Sequence, residues 1–185
     1  KSNLDEILTN FVKDNGKYIL TQGTDIVDFQ DTIQISEKYP KIVQFALGLH
    51  PSYFEENTVE KGIYKGIFEK GNRDIQKLEK IIFENKEKIS AIGETGLDYY
   101  QISLNKEISK DIVEQIKEVQ KNSFRRQVQI ALELDLPLSI HARDVQGSTF
   151  CVKDTLRILA EEGKGLLKGC FHSYTGKKEL VGDIL

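Results

Sequence analysis

The sequence predicts an α/β domain built on a parallel sheet, of the TIM (β/α)8 barrel class and incomplete in this chain. Three observations carry that expectation. Short apolar runs of strand length alternate with longer stretches at helical spacing along the whole sequence, the pattern of parallel strands joined by crossover helices. Several of those runs stop at residues able to bind metal, as expected where one end of a parallel sheet gathers ligands. At 185 residues the chain has room for most of a barrel that typically needs ~250, but not all of it. A complete open sheet of about five strands is the alternative.

The elements follow in order. Leu4, Ile7, Leu8, Phe11 and Val12 share one helical face, behind Ser2 or Asn3 as cap and ahead of Gly16 as stop. Tyr18 to Thr21 is a short strand candidate, and Ile26, Phe29 and Ile33 place a helix between Asp25 and Tyr39 before Pro40 ends it. The run Lys41 to Leu49 reads as a strand that exits at Gly48-Leu49-His50-Pro51. Residues 52–71 carry scattered aromatics, glycines and charges and are expected to form a loop or excursion. Asn72 then caps a helix carrying Ile75, Leu78 and Ile82.

Ile89-Ser90-Ala91-Ile92 has the length and branching of a buried strand and leads into Gly93-Glu94-Thr95-Gly96. A polar stretch after Tyr100 precedes a long helical pattern from Ser109 to Asp135 whose phase changes near Ser123, so one bent helix and two helices both fit. Leu136 to Ile140 is a strand ending at His141. Val152, Leu156 and Leu159 mark a helix stopped by Gly163. Gly169 to Phe171 is a strand ending at His172, and a last helix starts near Gly176. An opening helix with no strand before it, and a chain that stops on a helix, suggest one domain over residues 1–185 that lacks a first strand and the last strands.

Composition narrows the function classes. With 39% hydrophobic and 30% charged residues, and no apolar run near the ~20 residues of a membrane helix, a soluble protein is expected. Lys1 to Glu6 does not resemble an export signal, which points to the cytoplasm, or the nucleus in a eukaryote. Cys151 and Cys170 lack CxxC spacing and read as reduced packing residues. The net charge of −3 argues against a surface that coats nucleic acid, so local features must hold any anionic substrate. The absence of methionine suggests a processed or incomplete chain.

Glu94, His141 and His172 are the candidate metal ligands. Metal-dependent hydrolases need a few imidazoles and carboxylates around an ion, with a position left open for water. Parallel strands would deliver these three to one rim, and all three histidines of the protein occupy strand exits. His50 reads equally as a turn-capping residue and as a substrate contact. Asp98 reads as an acceptor orienting a histidine, as a further ligand, or as a turn aspartate. Arg143 would share a strand face with His141 and suits a phosphodiester, with a salt bridge to Asp144 or Asp98 as rival. Ser173-Tyr174-Thr175-Gly176 lies before a helix start and is a candidate phosphate seat, with Lys177-Lys178 nearby.

Taken together, four blocks resemble the TatD-related deoxyribonuclease family of amidohydrolase-like metal-dependent hydrolases. They are Gly48 to Pro51, Ala91 to Tyr100, Leu136 to Asp144 and Phe171 to Gly176. The resemblance covers nearly the whole chain and implies a (β/α)8 barrel of which strands two to six are present. It implies Glu94 as a carboxylate shared by two divalent ions (Mg, Mn or Zn), with His141 and His172 as further ligands, and DNA as substrate. Glu94 and Arg143 are the candidate catalytic residues, with His50, Arg143 and Ser173 as candidate substrate contacts. The family's His-x-His pair on the first strand and its last-strand aspartate, the general base, have no counterpart here. The rival readings are a related hydrolase of amides, lactones or phosphotriesters, and a non-catalytic relative that has lost its metal pair. Oligomeric state is not addressed by any motif.

Overall fold

The computed structural model of this chain describes residues 3–59, 66–106 and 108–185. After an opening helix α1 (Leu4–Lys13), strand β1 (Ile19–Gly23) is followed by α2 (Phe29–Lys38), and β2 (Val43–Leu47) by α3 (Ser52–Val59) and α4 (Ile67–Glu84). Strand β3 (Ala91–Asp98) leads into α5 (Tyr99–Leu104) and α6 (Lys110–Glu133), and β4 (Leu138–Arg143) into α7 (Phe150–Gly163). Strand β5 (Gly169–Phe171) precedes a 3-10 turn at Lys178–Leu180 and α8 (Val181–Ile184).

All four strand pairings are parallel, and the strands lie in the order β1-β2-β3-β4-β5. Sequential order without reversal is the (β/α)8 arrangement, whereas doubly wound sheets reverse direction at a switch point. Among the described residues β1 and β5 pair only inward, so the sheet is an open arc and not a closed cylinder. The core lies between this arc and the helices that cover its outer side. Phe45, Leu47, Ile92 and Leu97 of the strands meet Leu78 and Ile82 of α4, Ile116, Phe124 and Val128 of α6, and Cys151 and Ile158 of α7. Helix α6 packs on β3 with α4 and α7 on either side of it. No helix among the described residues is long and apolar enough to cross a membrane.

Several boundaries differ from the sequence expectation, each for a local reason. The helix expected from Asp25 begins at Phe29, because the Asp28 carboxylate accepts the backbone N–H groups of Thr24 and Asp25 and holds those residues in a turn. The excursion expected over 52–71 contains α3 and the start of α4, while its residues 60–65 lie outside the described residues. Asn72 is therefore inside α4 and not its cap. The helix was read late because its inward positions there are Ile67, Gly71 and Asp74, only one of them apolar in side chain. A Cβ on Gly71 would stand 2.9 Å from Val119, which is how closely α4 and α6 approach. The stretch from Ser109 is one continuous helix, with Ser109 accepting the Ile112 N–H as its cap. Its apparent change of phase has a physical origin: the inward face carries Gln120, Ser123 and Gln127, all buried.

The cysteines also divide. Cys151 is fully buried and its thiol donates to the Leu97 carbonyl at 3.2 Å, as a packing residue should, whereas Cys170 on β5 is exposed. Burial pushes the Cys151 thiol pKa far up, which removes the reactive thiolate. A thiol reagent such as Ellman's should therefore modify Cys170 alone in the native protein, and both cysteines only after denaturation. Native modification of Cys151 at a similar rate would contradict this packing.

Candidate metal centre

Glu94 and His141 sit within strands, not in the loops beyond them, which corrects the expected strand ends. Strand β3 runs on through Asp98 and β4 through Arg143. Pairing of the two strands skips between Ile92 and Thr95, and Glu94 falls in that irregularity. A bulge of this kind bends a strand and redirects a side chain. Close approach of the backbones then sets the spacing. Gly96 has φ of 139° and an added Cβ would lie 2.0 Å from the His141 carbonyl oxygen; at Gly48 a Cβ would meet the Glu94 carbonyl oxygen at 2.7 Å. His172 follows directly after β5, as expected, and His50 lies three residues past the end of β2.

Three imidazoles converge on the Glu94 carboxylate. Oε1 of Glu94 is 3.1 Å from Nδ1 of His172, 3.3 Å from Nδ1 of His141 and 4.0 Å from Nε2 of His50. The side chain of Glu94 is 14% exposed, while His172 is 49% exposed at the open side of the arc. Among the described residues His50, Glu94 and His141 offer metal-ligating atoms that all lie within 4.8 Å of one another. Sequence reasoning had not grouped His50 with the ligands. Its ring stacks edge-on against His141 with centroids 4.4 Å apart.

Hydrogen bonds distinguish the imidazoles. Nδ1 of His50 accepts the Ser52 N–H at 3.2 Å and faces the Ser52 hydroxyl at 2.8 Å, so the capping reading of His50 holds. A neutral ring whose Nδ1 is an acceptor carries its proton on Nε2, which points that N–H toward Glu94. Nε2 of His141 donates to Asp98 at 2.8 Å and leaves Nδ1 facing Glu94. Asp98 thus faces His141 with one oxygen and caps α5 with the other, accepting the Gln101 N–H at 2.7 Å. Burial alone would lower the His141 pKa, but its bonds to Asp98 and Glu94 raise it to about 9. Burial and the neighbouring His141 push His50 down to about 4. Burial acts to raise Glu94, yet the hydrogen bonds from His141 and His172 and the charge of His50 hold it at about 2. These shifts favour an ionised Glu94 carboxylate, a protonated His141 and a neutral His50 near neutral pH.

Arg143 shares the His141 face of β4, as its spacing of two predicts. No carboxylate among the described residues pairs with it. Its guanidinium instead lies over the Tyr100 ring, 4.0 Å from the centroid, and Asp144 is occupied in capping α7 through the N–H groups of Cys151 and Val152. At the candidate phosphate seat, Ser173 to Gly176, the structure shortens the expected helix. The helical segment beyond it is a single 3-10 turn and a four-residue α8, too short to present the aligned N–H groups and dipole of a helix start. Ser173 itself is exposed, with φ of 50°.

Comparison with known proteins agrees with this fold. A family profile described as TatD related DNase matches residues 1–185. An uncharacterized metal-dependent hydrolase of Buchnera aphidicola (strain APS) is 30% identical over 174 residues, which cover 94% of this chain and 56% of that protein. The human protein named deoxyribonuclease TATDN3 is 26% identical over 178 residues, 96% of this chain and 57% of that one. In structure, the Escherichia coli TatD homologue YJJV superposes with a TM-score of 0.63 at 22% identity, over 91% of this chain and 52% of that chain. An uncharacterized amidohydrolase from Saccharomyces cerevisiae gives 0.65 at 20%, over 90% and 53%. The chain spans about half the length of the relatives it matches.

The close contact of β3 with β4 yields a direct test. Gly96→Ala should lower the urea midpoint by an amount equivalent to about 1–3 kcal/mol, the usual cost of overpacking. A substitution there without effect on stability would contradict the register that places His141 beside Glu94.

Proposed function

Because the chain belongs to the TatD-related DNase family of metal-dependent hydrolases, we propose that it is the metal-binding part of a hydrolase acting on DNA phosphodiester bonds. The observation that carries this reading is the convergence of three imidazoles on the Glu94 carboxylate at one end of a parallel sheet. The donor set suits a divalent cation, since a carboxylate and neutral imidazoles are the ligands that Zn and Mn prefer. Glu94, His141 and His172 would hold the ion. When bound, such an ion supplies Lewis acidity and lowers the pKa of a coordinated water. The pair of ions implied by the resemblance (Mg, Mn or Zn) requires ligands beyond these three.

The chain's own residues then have separate tasks. Asp98 keeps a proton on Nε2 of His141 and so aims the Nδ1 lone pair at the ion site. His50, with its proton on Nε2, donates a hydrogen bond to a substrate oxygen. Arg143, held over the Tyr100 ring, offers a planar donor to a phosphate. Ser173, exposed next to His172, lies at the same rim as a further substrate contact. The arc corresponds in this reading to strands two to six of one barrel domain. A cytoplasmic or nuclear setting belongs to the reading too, and two free cysteines suit a reducing compartment.

Nucleic acid is favoured over an amide, a lactone or a phosphotriester by Arg143, which matches a charged phosphodiester in both charge and planarity. The experiment is a panel of single- and double-stranded oligodeoxynucleotides, a phosphotriester, a lactone and an amide, assayed with Mg²⁺, Mn²⁺ or Zn²⁺. Hydrolysis of DNA is expected of the intact enzyme that contains this segment and supplies the remaining ligands and the general base. Glu94→Gln should abolish it, and Arg143→Ala should slow it about a hundredfold or more, the usual effect of removing a charge-stabilising donor. Turnover unchanged by Glu94→Gln, or a clear preference for one of the uncharged substrates, would contradict the assignment.

A further inference from the structure

Helix α6 carries two glutamines on its inward face, Gln120 and Gln127, about two turns apart, and neither has any solvent exposure. Each forms a paired contact with the backbone of one residue beside the metal centre. Oε1 of Gln127 accepts the Leu49 N–H at 3.0 Å and its Nε2 donates to the Leu49 carbonyl at 3.3 Å. Oε1 of Gln120 accepts the Asp98 N–H at 3.0 Å, and its Nε2 donates to the carbonyls of Pro51 at 3.2 Å and Asp98 at 3.4 Å. The remaining donor capacity of Gln127 is taken by Ser123, at 2.9 Å to its hydroxyl and 3.4 Å to its carbonyl.

The amide side chain has a carbonyl and an NH₂ side by side, so it pairs with a peptide unit as a neighbouring strand would. At Leu49 it does so just beyond the last pair between β2 and β3, Leu47 with Ile92. Leu49 and Pro51 flank His50, and Asp98 is the acceptor that orients His141. Gln120 reaches both Pro51 and Asp98 and ties the two strand exits to each other. We infer that Gln120 and Gln127 are positioning residues for the metal centre, setting His50 and the Asp98–His141 pair from the opposite side of the sheet. This rests on the reading of Glu94, His141 and His172 as metal ligands and adds a buried support to it, Gln120 acting through Asp98 and Gln127 through His50, whose ring packs edge-on against that of His141.

Two alternatives predict different behaviour. Glutamines that merely satisfy buried polar groups would affect stability, and any large-to-small change on the same face would do the same. Positioning residues affect ligand affinity beyond their effect on stability. Mn²⁺ affinity should therefore be measured calorimetrically for the unsubstituted chain, for Gln120→Met and Gln127→Met, for Val128→Ala as a packing control on the same helix, and for Glu94→Gln. The Met variants keep side-chain volume while deleting the paired amide.

Each Met variant is expected to bind Mn²⁺ about tenfold or more weakly, in the range seen when partners of metal ligands are removed. Val128→Ala should lose thermal stability and keep its affinity. A second measurement needs no variant: Mn²⁺ saturation should slow amide hydrogen exchange in peptides containing Leu49 and Asp98, because coupling between site and support is reciprocal. Met variants that match the unsubstituted chain within twofold would overturn the inference while leaving the metal centre intact, and so would unchanged exchange at those peptides. Failure of the unsubstituted chain to bind Mn²⁺, or binding unaltered by Glu94→Gln, would overturn both.

Discussion

A carboxylate withdrawn from water is costly unless hydrogen-bond donors or cations surround it, and Glu94 is that group in this protein. Its Oε1 is approached by imidazoles from segments 44, 47 and 78 residues away in sequence. Only a fold that returns the chain repeatedly to the same end of one sheet brings them together. Parallel strands in sequential order do this. The irregular pairing at Glu94 and the glycines at 48 and 96 bring the neighbouring backbones close enough for the side chains to meet.

The same physical economy explains the outer layer. Helix α6 is the chief packing partner of β3, yet its inward face is partly polar because the strand exits beneath it present backbone groups that need partners. Its aliphatic and aromatic residues hold the arc together while its glutamines hold the exits. Core and site are thus joined through one helix. Asp98 has a similar double use, closing the start of α5 with one oxygen and His141 with the other.

Much of this was legible in the sequence, and the limits have identifiable causes. The alternation of strand and helix and the positions of Glu94, Asp98, His141 and His172 follow from apolar runs and local residue chemistry. His50 was visible as a histidine at a strand exit, but its approach to Glu94 depends on Gly48, whose missing side chain carries no hydrophobic signal. The strand character of Thr95 to Asp98 was hidden by the glycines around Glu94, which read as loop. The continuity of α6 was hidden by Gln120 and Gln127, which break the apolar period where they face inward. A signal existed there: both glutamines keep helical spacing with Ser123, Phe124 and Val128, so admitting amides to the buried face restores one uninterrupted stripe. The shortness of the helical segment after β5 was hidden for a different reason, because helix length is a tertiary outcome that Gly176 and two lysines do not encode.

The central claim is that Glu94, His141 and His172 share one divalent ion. Anomalous diffraction from crystals grown with Mn²⁺ or Zn²⁺ tests it most directly. The account predicts an anomalous peak within about 2.0–2.2 Å of the Glu94 carboxylate and of one nitrogen each of His141 and His172, the distances of direct ligation. A peak elsewhere in the molecule, or none within coordination distance of Glu94 at saturating metal, would contradict it.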